Sequence, residues 1–492
     1  MKNQLPIATG YYVSDSLPVG AQECKNFYVN IPDTAGALTK AQLFPTPGLN
    51  QLFDTGVLED NRGGWVMRKQ PYFVNGNTLY RVNRAISPSG EETLSVEDLG
   101  TISGSGRVSL ADNGTQLCIV VPGDTGYIYD VDDDTLTEIT DTAYFDLGPS
   151  QKVVYIDGYF VHIANQTIYN SALNDGLSYN GLDFAEAEAD PDDIISVHVH
   201  RSQLFVGGRN TIEVFQNVGN LNFPFQRISG YVIPIGVSTK ESMIEYNGTF
   251  AFIGADTGGQ PAIYQFSGNG ASKISTTAIE TLLRKLTDIE IENGFAWSYS
   301  QDGGIFAGFS FDSTSICYDA KASALAGRPI WHQRESEELN NLTRWRVNCI
   351  LQAYGRFLVG DSERGIIGEM SLDFLTEYGE QIRRVATSGP FNSDTGSRFW
   401  HMVQLLVENG VGNADDPDPE VRMSYSDDGG RNFSYESVAG MGRGMGEVGD
   451  YKIRPTWYRL GYTNTSRIYR FEMSDPVKSV IIGLFGEWSD GT

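Results

Sequence analysis

The sequence predicts an all-β chain, a β-propeller of six or seven blades followed by a C-terminal β-sandwich. Three observations point there. Runs of β-branched and aromatic residues are separated by short glycine-containing breaks, the pattern of β-hairpins. That pattern returns at a near-constant interval along most of the chain. Helical periodicity is almost absent, while Gly (55), Tyr (25) and Phe (25) are abundant among the 492 residues.

The repeat is read from Ser196 to Val218, where VHVHRSQLF and TIEVF flank Gly207, Gly208 and Arg209. The stretches from Pro71, Thr115, Gly158 and Gly248 follow the same pattern, with looser copies from Gly303 and Gly355. All align on Phe73, Leu117, Phe160, Leu204, Phe250, Phe306 and Phe357. The first four intervals are about 43 to 46 residues and the last two roughly 50 to 56, close to the period of four-stranded blades. A lone hairpin leaves its apolar face exposed, whereas blades packed radially bury it. The propeller is therefore assigned to residues 63–373, with Phe160, Leu204, Phe205 and Phe250 expected in its core.

Residues 1–62 are turn-rich yet aromatic, and read as an extended arm packed on the propeller. The stretches from Asn174 and Asn217 read as insertions between repeats. One helix is expected, Thr276 to Leu286, with Ser275 as N-cap and an apolar face of Ala278, Ile279, Leu282, Leu283 and Leu286. After Phe374 the period stops. Residues 380–492 alternate differently, with VRMSYS, YRLGYT, IYRFEM and SVIIGLF as strands and an exposed acidic loop at 413–420, which predicts a separate sandwich.

The formal net charge is -26. Gripping a phosphate backbone takes clustered Lys and Arg, and there are no such clusters, so the acidic balance argues against tight binding to nucleic acid or anionic membrane; it permits passage of DNA without sticking, and its plain reading is solubility. Cys24, Cys118, Cys317 and Cys349 are too few and scattered for a disulfide framework, and none forms a C-x-x-C pair. The first residues lack the apolar run of a signal peptide and no stretch reaches the length of a membrane span, so folding in a reducing cytoplasm is expected, without membrane insertion.

Chemistry-bearing patterns are sparse. His198 and His200 alternate on one strand and share a face, but no third metal ligand stands nearby. Asp130, Asp132, Asp134 and Glu138 resemble a calcium loop, yet Thr135 stands where the turn needs glycine, so a solvated acidic turn is the better reading. Ser426, Asp428, Gly430 and Phe433 fit S-x-D-x-G-x-x-[WF], the Asp box, a structural turn in which the Asp side chain braces a hairpin. A near copy at Ser300, Asp302, Gly304 and Phe306 is one residue short. No catalytic set, phosphate loop, metal or cofactor site is expected.

Several segments together resemble the packaged-DNA stabilisation, or tail-hub, proteins of short-tailed bacteriophages related to the Salmonella podoviruses. They include GSGRVSLA from Gly104, LDFAEAEADPDDI from Leu182, LFVGGRNTIEVFQNVGN from Leu204 and NFPFQRISGYVIPIGVSTK from Asn222. ISTTAIETLLRKL from Ile274, SYSDDGGRNF from Ser424 and RPTWYRLGYTNTSRIYRFEMSDPV from Arg454 extend the match, as do AQECKNFYVN and TPGL near the N-terminus. The resemblance implies a virion protein without catalytic residues: a ring of identical subunits, a hexamer, closing the portal vertex beneath an adaptor ring. It implies further partners in the tail needle and the fibres or spikes, and a passive passage for genomic DNA. The acidic insertion at Asp415 to Glu420 departs from the family pattern. The competing reading is a carbohydrate-active propeller enzyme of sialidase or lyase type, favoured by the Asp box and the aromatic content.

Overall fold

The structure is a computed structural model that describes residues 2–34, 36–186, 193–255, 258–268, 270–338, 341–391, 396–414, 416–442 and 451–491. Six blades are built from consecutive strands, each an antiparallel sheet whose first strand lines a central axis. These inner strands are Asn61–Met67, Ser109–Asp112, Lys152–Ile156, Ile194–His200, Ile244–Tyr246 and Phe295–Gln301. A composite sheet completes the ring: Val347–Ala353, Arg356–Asp361 and Ile366–Ser371 are joined by Gly48–Asp54 from far upstream. The seven anchors Phe73, Leu117, Phe160, Leu204, Phe250, Phe306 and Phe357 each fall on the second strand of a different one of these sheets. All are buried except Phe357, which is half-buried.

The link from first to second strand explains why the blades read as hairpins. In six sheets it is a pair of residues with positive φ, as in Asp157-Gly158, Asn247-Gly248, Asp302-Gly303 and Tyr354-Gly355. Such a turn matches the twist of the strands it joins. Arg68-Lys69 and Arg201-Ser202 do the same without glycine. That corrects the reading of VHVHRSQLF as one strand: Ile194–His200 and Gln203–Gly208 are two strands joined at Arg201-Ser202. A glycine signal does not see a left-handed arginine and serine.

Other expectations shift for physical reasons. The stretches from Asn174 and Asn217, expected as insertions, supply outer strands: Asp175–Glu186 of the third blade and Phe225–Ile233 of the fourth. Both are largely exposed, so neither has the apolar alternation of the inner strands. Residues 187–192 of the first stretch lie outside the described residues, as does Asp415 of the acidic loop. The helix is Thr277–Leu283; its N-cap is Thr276, whose hydroxyl accepts from Ile279 N, while the expected cap Ser275 instead donates its hydroxyl to Glu280. The expectation of one helix is corrected by three further short ones among the described residues: Thr142–Asp146, Asp288–Glu292 with its own capping box on Thr287, and Ala320–Ala326, each too short for its periodicity to show in the sequence. Ala278, Ile279 and Leu283 bury the helix's apolar face against the fifth and sixth blades.

Within residues 1–62, Gly48–Asp54 is a propeller strand, and Phe27–Asn30 pairs with Gln42–Pro45, which joins Ile481–Asp490 of the C-terminal sheet. Cys24–Lys25 lies between Trp331–Glu338 of the sixth blade and Arg384–Thr387, so one sheet runs from propeller into sandwich. The sandwich packs Arg398–Val407 and Ile481–Asp490 over Glu420–Ser426 and Ile468–Met473. YRLGYT is not one strand: Thr456–Tyr458 and Tyr462–Thr463 are separated by a turn in which Arg459 and Gly461 are left-handed.

Phe250 sits where blades four and five meet, with its ring 5.0 Å from Phe266 and 5.1 Å from Phe205, and fully buried. Replacing it with alanine leaves a cavity that this rigid cluster fills poorly, so Phe250→Ala is expected to destabilise the chain by about 3 to 5 kcal/mol in a denaturant titration. Acid is a second probe. His162 and His332 are buried, and burial, joined for His332 by nearby Arg334, holds both down to about 3. The unfolded chain binds these protons near the ordinary histidine value of about 6.5 and the folded chain does not. Melting temperature should therefore fall as pH drops from about 6.5 towards 3, by more than the carboxylates alone produce.

Candidate functional site

The inner strands enclose an axial cavity of about 510 Å³, lined by residues from every blade, Gly63, Ser109, Lys152, His198, Glu245, Trp297 and Asn348 among them. Its polar groups are tied from blade to blade. Lys152 donates to Lys240 O at 2.6 Å and to Glu241 at 3.1 Å. Arg107 donates to Asn348 O at 2.9 Å, with its guanidinium 3.8 Å above the Phe295 ring. Asn348 in turn donates to Asn61 O at 2.7 Å, and Ser196 to Lys240 O at 2.6 Å. Lys152, Ser196 and Asn348 are engaged with backbone carbonyls of other blades and hold those blades together, while Arg107 Nε and Nη1 are buried without a hydrogen-bond partner among the described residues. The signal in the sequence was a cation inside an apolar strand, Lys152 in KVVYI.

His198 and His200 both reach Glu245, at 3.2 and 2.6 Å. Glu245 lies on the inner strand of the next blade, a partner invisible to local spacing. Burial pushes His198 towards its neutral form. Burial also acts to raise Glu245, but hydrogen bonds from the two imidazoles outweigh it and hold the carboxyl below its usual range. Among the described residues no three side chains are grouped to hold a metal ion. In the acidic turn, Asp132 pairs with Arg68 at 2.7 Å, and Asp134 meets Arg81 and the Tyr129 hydroxyl. Those carboxylates clasp the neighbouring blade. Cys24, Cys118, Cys317 and Cys349 are free and buried, with burial pushing the Cys24 and Cys349 thiols up to about 12.

Ser426, Asp428, Gly430 and Phe433 come together in a hairpin of the sandwich, away from the axial lining. The Ser426 hydroxyl donates to Asp428 at 2.7 Å and accepts from Gly430 N at 2.9 Å. Asp428 also accepts from Arg431 N at 3.0 Å, Asn432 N at 2.9 Å and the Asn432 side chain at 2.6 Å. Gly429 and Gly430 have φ of 78° and 93°, and a Cβ on Gly429 would meet Pro18 at 2.7 Å. Asp427 grips Arg467 through two bonds of 2.6 and 2.7 Å, and Arg470 lies 4.1 Å over Phe433.

A ring of seven sheets tied from blade to blade and fused to a sandwich defines a two-module propeller-sandwich protein. Residues 3–375 match the bacteriophage P22 Gp10 β-propeller and residues 385–485 the bacteriophage P22 Gp10 β-sandwich, and the chain belongs to this family. It is similar to the tail hub protein gp10 of Salmonella phage P22, 24% identical over 445 residues covering 88% of each chain. Among solved structures it resembles the WD40 β-propeller domain of Doa1 (TM-score 0.37, 11% identity, 66% of this chain and 97% of that one). It also resembles PorZ of Porphyromonas gingivalis (TM-score 0.36, 13% identity, 69% and 39%). The chain is a structural tail-hub protein and a component of the phage virion, standing among other virion proteins; the carbohydrate-active enzyme reading has no support.

The donors on Asp428 hold its carboxyl far below the usual range. Its stabilising contribution is present above the unfolded value of about 4 and is lost as pH falls through the folded value. Asp428→Ala is expected to lower the melting temperature at pH 7 and to have a smaller effect at the acid end of the range, read by calorimetry of wild type and variant.

Proposed function

We propose that copies of this chain form a closed ring, a hexamer, that seats beneath an adaptor ring, closes the portal vertex and retains packaged DNA. The ring also bears the tail needle and the fibres or spikes. The observation that carries this reading is the match of both modules, in order, to one tail-hub family. The role is mechanical and uses no catalysis, metal or cofactor, and the turn from Ser426 to Phe433 serves folding alone.

The propeller's own axial cavity is only about 510 Å³, too small for duplex DNA, which favours a DNA passage running between subunits along the ring axis. A charge of -26 per subunit favours a passage that is acidic or neutral. DNA in such a passage releases few counterions and is kept centred by like charge, so it leaves quickly on ejection. A ring also needs heterologous contacts, because only a head-to-tail interface repeats around an axis.

Electron microscopy of assembled particles is expected to show a ring of this protein at the portal vertex. The isolated protein should not bind duplex DNA tightly, and tight, salt-sensitive binding would defeat the passive passage. Virions assembled without the protein should lose their DNA; particles that kept it would defeat the retaining role.

A further inference from the structure

The charge of the chain is unevenly placed. Residues 1–380 hold 24 basic and 47 acidic side chains, whereas residues 451–470 hold five basic and none acidic. Two of the five, Arg467 and Arg470, are engaged with Asp427 and Glu23. Lys452, Arg454 and Arg459 are exposed, and none has a carboxylate partner among the described residues. Beside them stand large aromatic side chains out of the core: Phe399 is 45% exposed, Tyr458 67% and Tyr462 59%. Strand pairing makes these one surface. Thr456–Tyr458 and Tyr462–Thr463 both pair with Arg398–Val407, the Phe399 and Tyr462 rings lie 5.9 Å apart, and Arg459 N donates to His401 O. Of the nearby acids, Asp490 is held by Arg398 and Asp427 by Arg467, Glu487 is half-buried across Met402 from Tyr458, and Glu436 is exposed, so basic side chains still outnumber acidic ones on the edge segment itself.

We propose that this aromatic and basic surface of the sandwich docks on the acidic propeller of a neighbouring copy, an inference that rests on the ring reading above. Tyrosine and arginine supply rigid contact area and directed donors, the composition that dominates protein interfaces. Charge selects the occupant. Two such surfaces facing each other would bring like charges together, so a two-fold contact is disfavoured, whereas the propeller of a second copy offers the opposite sign. That is a heterologous contact, the kind a ring requires. Duplex DNA is a poorer occupant: three unpaired cations release few counterions, and the rest of the subunit repels the strand.

The test places a photo-cross-linking phenylalanine analogue at Tyr458 of the full-length protein, at high concentration and about 0.15 M salt, where screening beyond roughly 8 Å limits long-range repulsion. Cross-links between chains are expected, mapping to the propeller of the second copy, residues 48–54 and 61–371. They should drop at least tenfold when Arg454→Glu and Arg459→Glu are combined. Both positions are exposed, so an unchanged melting temperature will show that the variant folds. Cross-links confined to one chain, links to the sandwich of the second copy, or links undiminished by charge reversal would each overturn the proposal. So would a drop in duplex DNA binding that accompanies the charge reversal. Cross-linked chains that never close into a ring would remove the ring reading and leave this contact standing. Rings that persist in the charge-reversed variant would remove this contact and leave the ring.

Discussion

Closure of the propeller depends on one antiparallel pairing, Gly48–Asp54 against Ile366–Ser371, made between residues more than three hundred positions apart. Until it forms, the last sheet lacks its outer strand, and the ring's ends meet only through lateral contacts of the first and last sheets such as Asn348 to Asn61 O and Arg356 to Glu92. The fit is close. A Cβ on Gly48 would lie 2.4 Å from Phe374 O, so the strand sits against the chain that follows the last blade. The loop-closure entropy of such a long separation is met by many contacts forming together, which makes closure cooperative with the folding of the sheets on either side.

The same N-terminal segment fuses ring to sandwich. Asn26, in the left-handed region at φ 52°, donates to Glu335 O of the sixth blade and to Arg383 O at the start of the sandwich. Around this seam lie arginines with no exposure. Arg334 stacks 3.9 Å over Trp345 and donates to Pro47 O, and Glu377 accepts from Ser336 and Trp345. Arg346 holds Asp361 at 2.6 Å. Removing one partner from such a set leaves an uncompensated buried charge, so single substitutions here are strongly destabilising.

Legibility in the sequence followed the range of the interactions. The second strands were visible because their apolar alternation is local, and seven anchors found by eye lie on seven sheets. Outer strands such as Asp175–Glu186 were hidden because half-exposed strands carry little periodicity. The arm hid a blade strand because nothing near Gly48 announces a partner at Ile366. Among chemical groups, the Asp428 turn was readable because all its bonds lie within a few residues. Glu245 was missed as the partner of His198 and His200 because it stands on another blade. The helix cap moved by one residue, from Ser275 to Thr276, since either hydroxyl satisfies the local pattern and only the tertiary bond of Ser275 to Glu280 separates them.

These constraints bear on why such a fold suits a hub. A closed ring of sheets hides the inner edges that would otherwise pair indiscriminately, and the N-terminal strand hides one more. The cavity at its centre is bridged by Arg107, Lys152 and Asn348, so the blades resist being pulled apart along the axis. Accessible edges include the outer strands of the blades and the short edge strands Ser437–Gly440 and Thr456–Tyr458 of the sandwich. Strong net acidity on the rim opposes indiscriminate association. Association then requires a surface that locally reverses that sign, and a rigid scaffold with one such surface is better suited to repeat a single geometry than to bind many partners.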